Sequence, residues 1–396
     1  MRMPVLRFKA DDGADFPDWK EKTLSEIANR VTRKNKNNQT DIPLTISSLD
    51  GLVDQRDYFK KTVASKDMSG YFLLQNGEFA YNKSYSVGFD YGSIKRLDKY
   101  SCGALSTLYI CFGLKPNVGI DSDYLTHYFD SQKWNPEVAA ICAEGARNHG
   151  LLNVPTADFF DIGIDVPSLP EQRKVADLLS TVDRVIAEQQ SEVDAWEQRK
   201  KGVMQKLFSQ EVRFKADDGS DFPDWEKKKL GEICEYGRQR GIGAHYVGTE
   251  NMLKGFGGIV INAPEAEAAG SLYFEGDTLM SNIRPYLKKA WKANCNGACS
   301  TDVLVFHPTN VESDYLHCVI ASDSFVTYVM SAAKGSKMPR GDKSHIMQMP
   351  LILPSLPEQR KIADCLSSID DVIVKAKAVL TKWQELKKGL LQQMFV

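Results

Sequence analysis

Residues 7–19 read RFKADDGADFPDW and residues 213–225 read RFKADDGSDFPDW, twelve of thirteen positions agreeing, with Ala14 against Ser220 the exception. A second repeat, PSLPEQRK, stands at 167–174 and again at 354–361. It continues as VADLLSTVDRVI (175–186) against IADCLSSIDDVI (362–373), then Trp196 against Trp383, Lys200-Lys201-Gly202 against Lys387-Lys388-Gly389, and Phe208 against Phe395. The first pair is offset by 206 positions and the second by 187, so a frame is duplicated while the stretches inside it differ in length. The order is circular. The middle of the chain runs repeat, Phe208, then RFKADDG; the second copy stops after Phe395, and its missing RFKADDG lies at the other end of the sequence. This predicts a pseudo-twofold molecule whose two ends lie close together.

The PSLPEQRK repeat opens a helix in each copy. Pro170 and Pro357 suit a first helical turn, and Glu171 and Glu358 suit the positive end of the helix dipole. Beyond them apolar residues keep a heptad rhythm: Leu179, Val182, Ile186, Val193, Trp196, Val203 and Leu207, then Leu366, Ile369, Ile373, Ala376, Leu380, Trp383, Leu390 and Met394. Gln189, Lys200 and Lys387 read as flaws in that seam. Each helix should run roughly 38 residues, or about 57 Å at 1.5 Å per residue. A stripe of that length needs a partner, and two equivalent helices in one chain are expected to pair antiparallel as a coiled coil. Packing of each helix on its own neighbouring domain is the alternative.

The frame encloses two unlike inserts, about Leu24–Val166 and Leu230–Leu353. Both carry short strand-like runs, such as Tyr71-Phe72-Leu73-Leu74, Leu108-Tyr109-Ile110-Cys111-Phe112 and Val303-Leu304-Val305-Phe306. Both carry a late helical segment, DSDYLTHYF (121–129) and ESDYLHCVI (312–320), and elsewhere they diverge. The expected fold class is therefore mixed α+β: two globular α/β domains separated by two long antiparallel coiled-coil helices in a circular arrangement. The expected segments are 1–23, completing the second frame copy; 24–166, the first domain; 167–210, a spacer helix; 211–353, a repeat segment plus the second domain; and 354–396, the second spacer helix.

Little in the composition or motifs points to catalysis. With 50 basic and 52 acidic residues the net charge is −2, so any nucleic-acid affinity must come from local basic surfaces or be shared with partners. The stretch Gly335–Ser344 imitates a phosphate loop but has one residue too many between glycines, and Asp342 precedes its lysine. An Asn/Asp-Pro-Pro-aromatic methyltransferase loop is missing. Asp18, Glu21 and Lys22 are too local to gather a nuclease metal, and their repeat loses the spacing. Cys295 and Cys299, with His307 and His317 downstream, lack paired zinc spacing, so no metal and no cofactor are expected. The eight cysteines read as reduced thiols of a cytoplasmic protein, and neither a signal peptide nor a membrane span is apparent.

The chain resembles the specificity subunits of type I restriction–modification systems. The resemblance rests on Leu-Pro-Glu-Gln-Arg-Lys at 169–174 and 356–361, each leading a long helix, around two divergent inserts. The second insert adds Tyr246–Met252, Gly276–Pro285 and Cys299-Ser300-Thr301-Asp302; the first adds Gly77–Lys83 and Ala104–Thr107. The resemblance covers nearly the whole chain. It implies that each insert is a target-recognition domain reading one half of a split, asymmetric site in double-stranded DNA. It further implies that the helices fix the gap and dock two methyltransferase (modification) subunits, and that these recruit restriction–translocation subunits which, with them, carry the catalysis. A coiled-coil scaffold that organises partners without reading DNA is the alternative, and a stand-alone nuclease a third reading.

Reading DNA needs donors for base edges and cations for phosphates. In the first insert the candidates are Lys83, Tyr85, Lys95, Arg96, Arg147 and Asn148. In the second they are Arg238, Arg240, Tyr246, Arg284, Tyr286 and Lys288, with Lys334, Lys337, Arg340 and Lys343 concentrated on the glycine-bearing stretch KGSKMPRGDK.

Overall fold

The computed structural model describes residues 4–59, 64–142, 151–260 and 267–395. They fall into two compact units, Met1–Ser191 with Lys377–Val396, and Glu192–Ala376. The long helices span Leu169–Phe208 and Leu356–Met394, and each contributes one half to each unit.

Within each unit the start of one long helix packs against the end of the other, which makes the pairing antiparallel. In the first unit Val175, Ala176 and Leu179 share a core with Leu390, Leu391, Met394 and Phe395. In the second, Val203, Met204, Leu207 and Phe208 cluster with Ile362, Ala363 and Leu366. Of the heptad residues, Leu179, Val182, Val193, Leu366, Ile373 and Leu380 are buried, while Ile186, Trp196, Ile369 and Trp383 are half-buried. The seam lysines are not flaws. Lys387 Nζ lies 2.6 Å from Asp183, and Lys200 Nζ lies 2.6 Å from Asp370. Asp183 and Asp370 occupy equivalent repeat positions, as do the two lysines, so the same cross-helix ion pair fixes the register in both units.

The two sequence repeats hold each other. Arg7 donates to Glu171 at 2.9 and 2.8 Å and to the carbonyls of Phe16 and Pro17. Arg213 repeats every bond, to Glu358 at 3.1 and 2.8 Å and to Phe222 and Pro223. Lys174 pairs with Asp11 as Lys361 pairs with Asp217. The glutamine of each EQR motif ties in the insert: Gln172 accepts from the Asp121 amide and Gln359 from the Glu312 amide, at the start of the shared late helices Ser122–Asp130 and Ser313–Ile320. The expected closeness of the two ends is a hydrogen bond. The Leu6 amide donates to the Gln393 carbonyl at 3.0 Å, and the equivalent bond in the second unit, Val212 to Lys206 at 3.3 Å, lies within one continuous turn.

The sheets show where the copies agree. One four-stranded antiparallel sheet recurs unchanged. Its order is Ala28–Arg30, Ile110–Leu114, Phe79–Asn82, Ser93–Arg96 in the first unit and Cys234–Tyr236, Val303–Pro308, Thr278–Ser281, Ala290–Lys292 in the second. A two-stranded ribbon also recurs, Lys20–Thr23 with Gly163–Val166 and Glu226–Lys229 with Pro350–Leu353. The other sheet shares three strands, with one parallel pair in each unit. Its fourth strand differs: Gly51–Asp54 adds beside Pro43–Ser47 in the first unit, whereas Arg240–Gly243 adds on the opposite edge, beside Ala268–Tyr273, in the second. The helices and recurring sheets are common property, and the divergence is concentrated in this last sheet and its loops.

Candidate nucleic-acid interface

In the second unit the KGSKMPRGDK stretch forms a hairpin. The Lys334 and Arg340 amides and carbonyls exchange two bonds of 2.9 Å. Arg340 forks onto Asp302 at 3.1 Å, and Lys334 reaches Asp342 at 3.0 Å; that bond holds the Asp342 carboxyl below its usual range. Lys337 is exposed near the tip. Lys343 is exposed at the start of the short helix Lys343–Met347, whose first amides are capped by Asp342. Arg284 and Lys288 both adopt left-handed backbone, φ 50° and 55°, and bracket the turn Pro285–Leu287 with Tyr286 exposed on it. Lys288 is bound to Asp323 at 2.6 Å. Arg240 is exposed at the start of the edge strand Arg240–Gly243, Arg238 is exposed on the segment before it, and Tyr246 is half-buried on the strand Tyr246–Val247. No carboxylate among the described residues pairs with Arg238, Arg240, Lys337 or Lys343.

The first unit is different. Lys95 is held by Asp130 at 2.7 Å. Burial works to lower the Arg96 guanidinium, but Asp123 and Asp98, each at 2.6 Å, outweigh it and raise it. Both cations thus spend their charge inside the unit. Lys83 is half-buried, with its carbonyl accepting from the Leu152 amide at 2.8 Å. Tyr85 is exposed on the next loop, which Ser48, bonded to Ser86 and Ser93, ties to the loop carrying exposed Leu49. Arg147 and Asn148 lie outside the described residues.

Asp302 stands in the sequence as part of the motif Cys299–Asp302, but its role in orienting Arg340 was not read from it, nor were the seam aspartates Asp183 and Asp370. The aspartates had a signal, since they recur at the 187-residue offset together with the lysines they bind. The pairing of Asp302 with Arg340 had none, because the two lie 38 positions apart on different loops. Among the described residues no group of three His, Cys, Asp or Glu gathers as a metal site, no helix is long and apolar enough to cross a membrane, and no disulfide links the cysteines.

Two equivalent frames carrying two unlike, loop-bearing faces define a class: a duplicated chain with two dissimilar inserts. The Methylase_S family, the type I restriction modification DNA specificity domain, matches residues 260–382. The chain is 25% identical over 273 residues to the type I restriction enzyme MjaVIII specificity subunit of Methanocaldococcus jannaschii, covering 62% of this chain and 64% of that one. It is 19% identical over 294 residues to the EcoDI specificity subunit of Escherichia coli, covering 64% and 66%. These matches thus span just under two thirds of each relative's own length. The S subunit structure from M. genitalium superposes with a TM-score of 0.57 at 15% identity, covering 100% of this chain and 99% of that one. A chain from a structural study of type I R-M complex assembly and conformational transition gives a TM-score of 0.53 at 16% identity, covering 96% and 98%. The chain is thus similar to specificity subunits of type I restriction–modification systems, and its residues 260–382 match the DNA specificity domain of such subunits.

Proposed function

We propose that this chain supplies DNA sequence specificity to a type I restriction–modification complex. Each insert reads one half of a bipartite, asymmetric site in duplex DNA, and the paired helices set the gap. The helices also dock two modification subunits, through which restriction–translocation subunits join. Methylation, cleavage and translocation belong to those partners, and this chain needs no cofactor of its own. The complex acts in the cytoplasm, where the DNA is.

The observation that carries this reading is the equality of the frames set against the inequality of the readers. Arg7–Glu171 and Arg213–Glu358 build the same clamp twice, while the fourth strand of the sheet with one parallel pair changes edge between the units. A scaffold gains nothing from two unlike loop-bearing faces on one duplicated frame. An asymmetric two-part target requires them. Near-zero net charge fits a subunit whose partners share the grip on phosphates. The test is to co-produce the chain with a type I modification subunit from the same host and map methylated adenines genome-wide. A single motif of two unlike half-sites with a fixed gap is expected; a continuous motif, or methylation without sequence preference, refutes the reading.

A further inference from the structure

Four irregularities converge beneath the hairpin Lys334–Arg340. Arg284 and Lys288, neither a glycine, hold left-handed backbone at the two ends of one turn, a conformation that L residues adopt at a cost. Asn282, 8% exposed, has a buried Oδ1 with no partner, and the buried Nε of Arg284 has none either. Strain and unpaired polar atoms persist only where the surroundings enforce them, and here the enforcement is visible. The Arg284 amide donates to the Pro339 carbonyl at 2.8 Å, the Asn282 amide to the Asp302 carbonyl at 2.8 Å, and the Phe256 amide to the Lys288 carbonyl at 2.6 Å. Gly341 closes the arrangement, since a Cβ there would stand 2.9 Å from Asn282 Oδ1 and 2.7 Å from Val329 Cγ1. These backbone bonds brace the hairpin against the turn Pro285–Leu287 and the loop of Asp302.

What the bracing positions is Arg340. Its side chain is 53% exposed, yet Asp302 holds its fork from one side through both Nε and Nη2. A guanidinium oriented by a neighbouring carboxylate, rigid at the backbone and open on its other side, is prepared for a planar two-acceptor partner. The guanine edge, with O6 and N7, is such a partner in the major groove. Lys337, near the hairpin tip and without a carboxylate, suits a phosphate instead.

We infer that Arg340 reads one guanine of the half-site belonging to the second unit, with Asp302 as its positioning residue. This rests on the function proposed above and deepens it to one base contact.

The experiment maps methylated adenines for the assembled complex carrying Arg340→Ala, Arg340→Lys, Asp302→Asn or Lys337→Ala. Arg340→Ala is expected to make one guanine position degenerate, with discrimination there falling roughly ten- to hundred-fold and the other half-site unchanged. Arg340→Lys, which keeps the charge but not the fork, relaxes the same position. Asp302→Asn relaxes it partly, a readout that a merely structural role would not move. Lys337→Ala lowers methylation evenly across sites without altering the motif. Thermal unfolding of each variant confirms that the unit is folded. An unchanged motif in folded Arg340→Ala complex overturns the inference, and so does a change in both half-sites. If wild-type complex yields no bipartite motif, the proposed function itself fails, and this inference with it.

Discussion

Removing the Glu358 carboxylate probes the clamp that makes each frame. Glu358 is fully buried and accepts three bonds: from Arg213 Nε at 3.1 Å, from Arg213 Nη2 at 2.8 Å and from Trp225 Nε1 at 2.9 Å. Its hydrogen bonds and charge raise the Arg213 guanidinium above its ordinary value. Glu358→Ala leaves a largely covered cation and an indole N–H without an acceptor. Loss of one partner of a buried pair costs ~3–5 kcal/mol, and Arg213, whose side chain is 25% exposed, recovers part of this from water, so about 2–4 kcal/mol is expected. Glu171→Ala should cost about 1 kcal/mol less, because the buried Trp19 Nε1 has no acceptor to lose. The assay is urea unfolding followed by tryptophan fluorescence, with a double-mutant cycle against Arg213→Ala. The expected coupling is ~1.5–3 kcal/mol, and coupling below about 0.5 kcal/mol would refute the view that the repeats exist to hold each other.

Three further outcomes are expected. Reversing one seam pair by Lys200→Asp should destabilise the chain by ~1 kcal/mol, and adding Asp370→Lys should restore it, both read by denaturant midpoints; failure of the double variant to recover would show that the pair does not set register. Burial, followed by the nearby charges of Lys200 and Lys292, drives the His317 imidazole down to about 4. The unfolded chain then takes up a proton near pH 6.5 that the native chain refuses, so His317 costs nothing above that pH and removes up to roughly 3 kcal/mol as pH falls from 6.5 to 4. Substituting His317→Gln should flatten that part of the stability profile, and an unaltered profile would count against it. Phe395, 2% exposed against Trp19, Tyr124 and Tyr128, should cost ~3–5 kcal/mol when replaced by alanine, which differential scanning calorimetry checks.

The sequence disclosed the duplicated frame because the physics there is local or repeated. Proline and glutamate at 170–171 and 357–358 mark helix starts, and the heptads mark buried stripes, so helices of 40 and 39 residues stand where roughly 38 were expected. The strand-like runs at 71–74, 108–112 and 303–306 overlap strands at Phe72–Gln75, Ile110–Leu114 and Val303–Pro308. Pairing across space was illegible. Lys200 and Lys387 looked like defects because their aspartates are 170 and 204 positions distant. Lys95, Arg96 and Lys288 are ion-paired with Asp130, Asp123 and Asp323, and no periodicity announces such partners. The change of edge by the fourth strand was hidden too, since strand order depends on loops whose shapes a residue string does not give.

The most direct test of the central claim, that two equivalent frames present two unlike readers, is the methylation motif of a transposed chain. Residues 24–166 and 230–353 are exchanged in place, and the complex is assembled with the same modification subunits. Equivalent frames predict the wild-type pair of half-sites with the same gap. A motif with different half-sites, or a different gap between the same ones, would contradict the account.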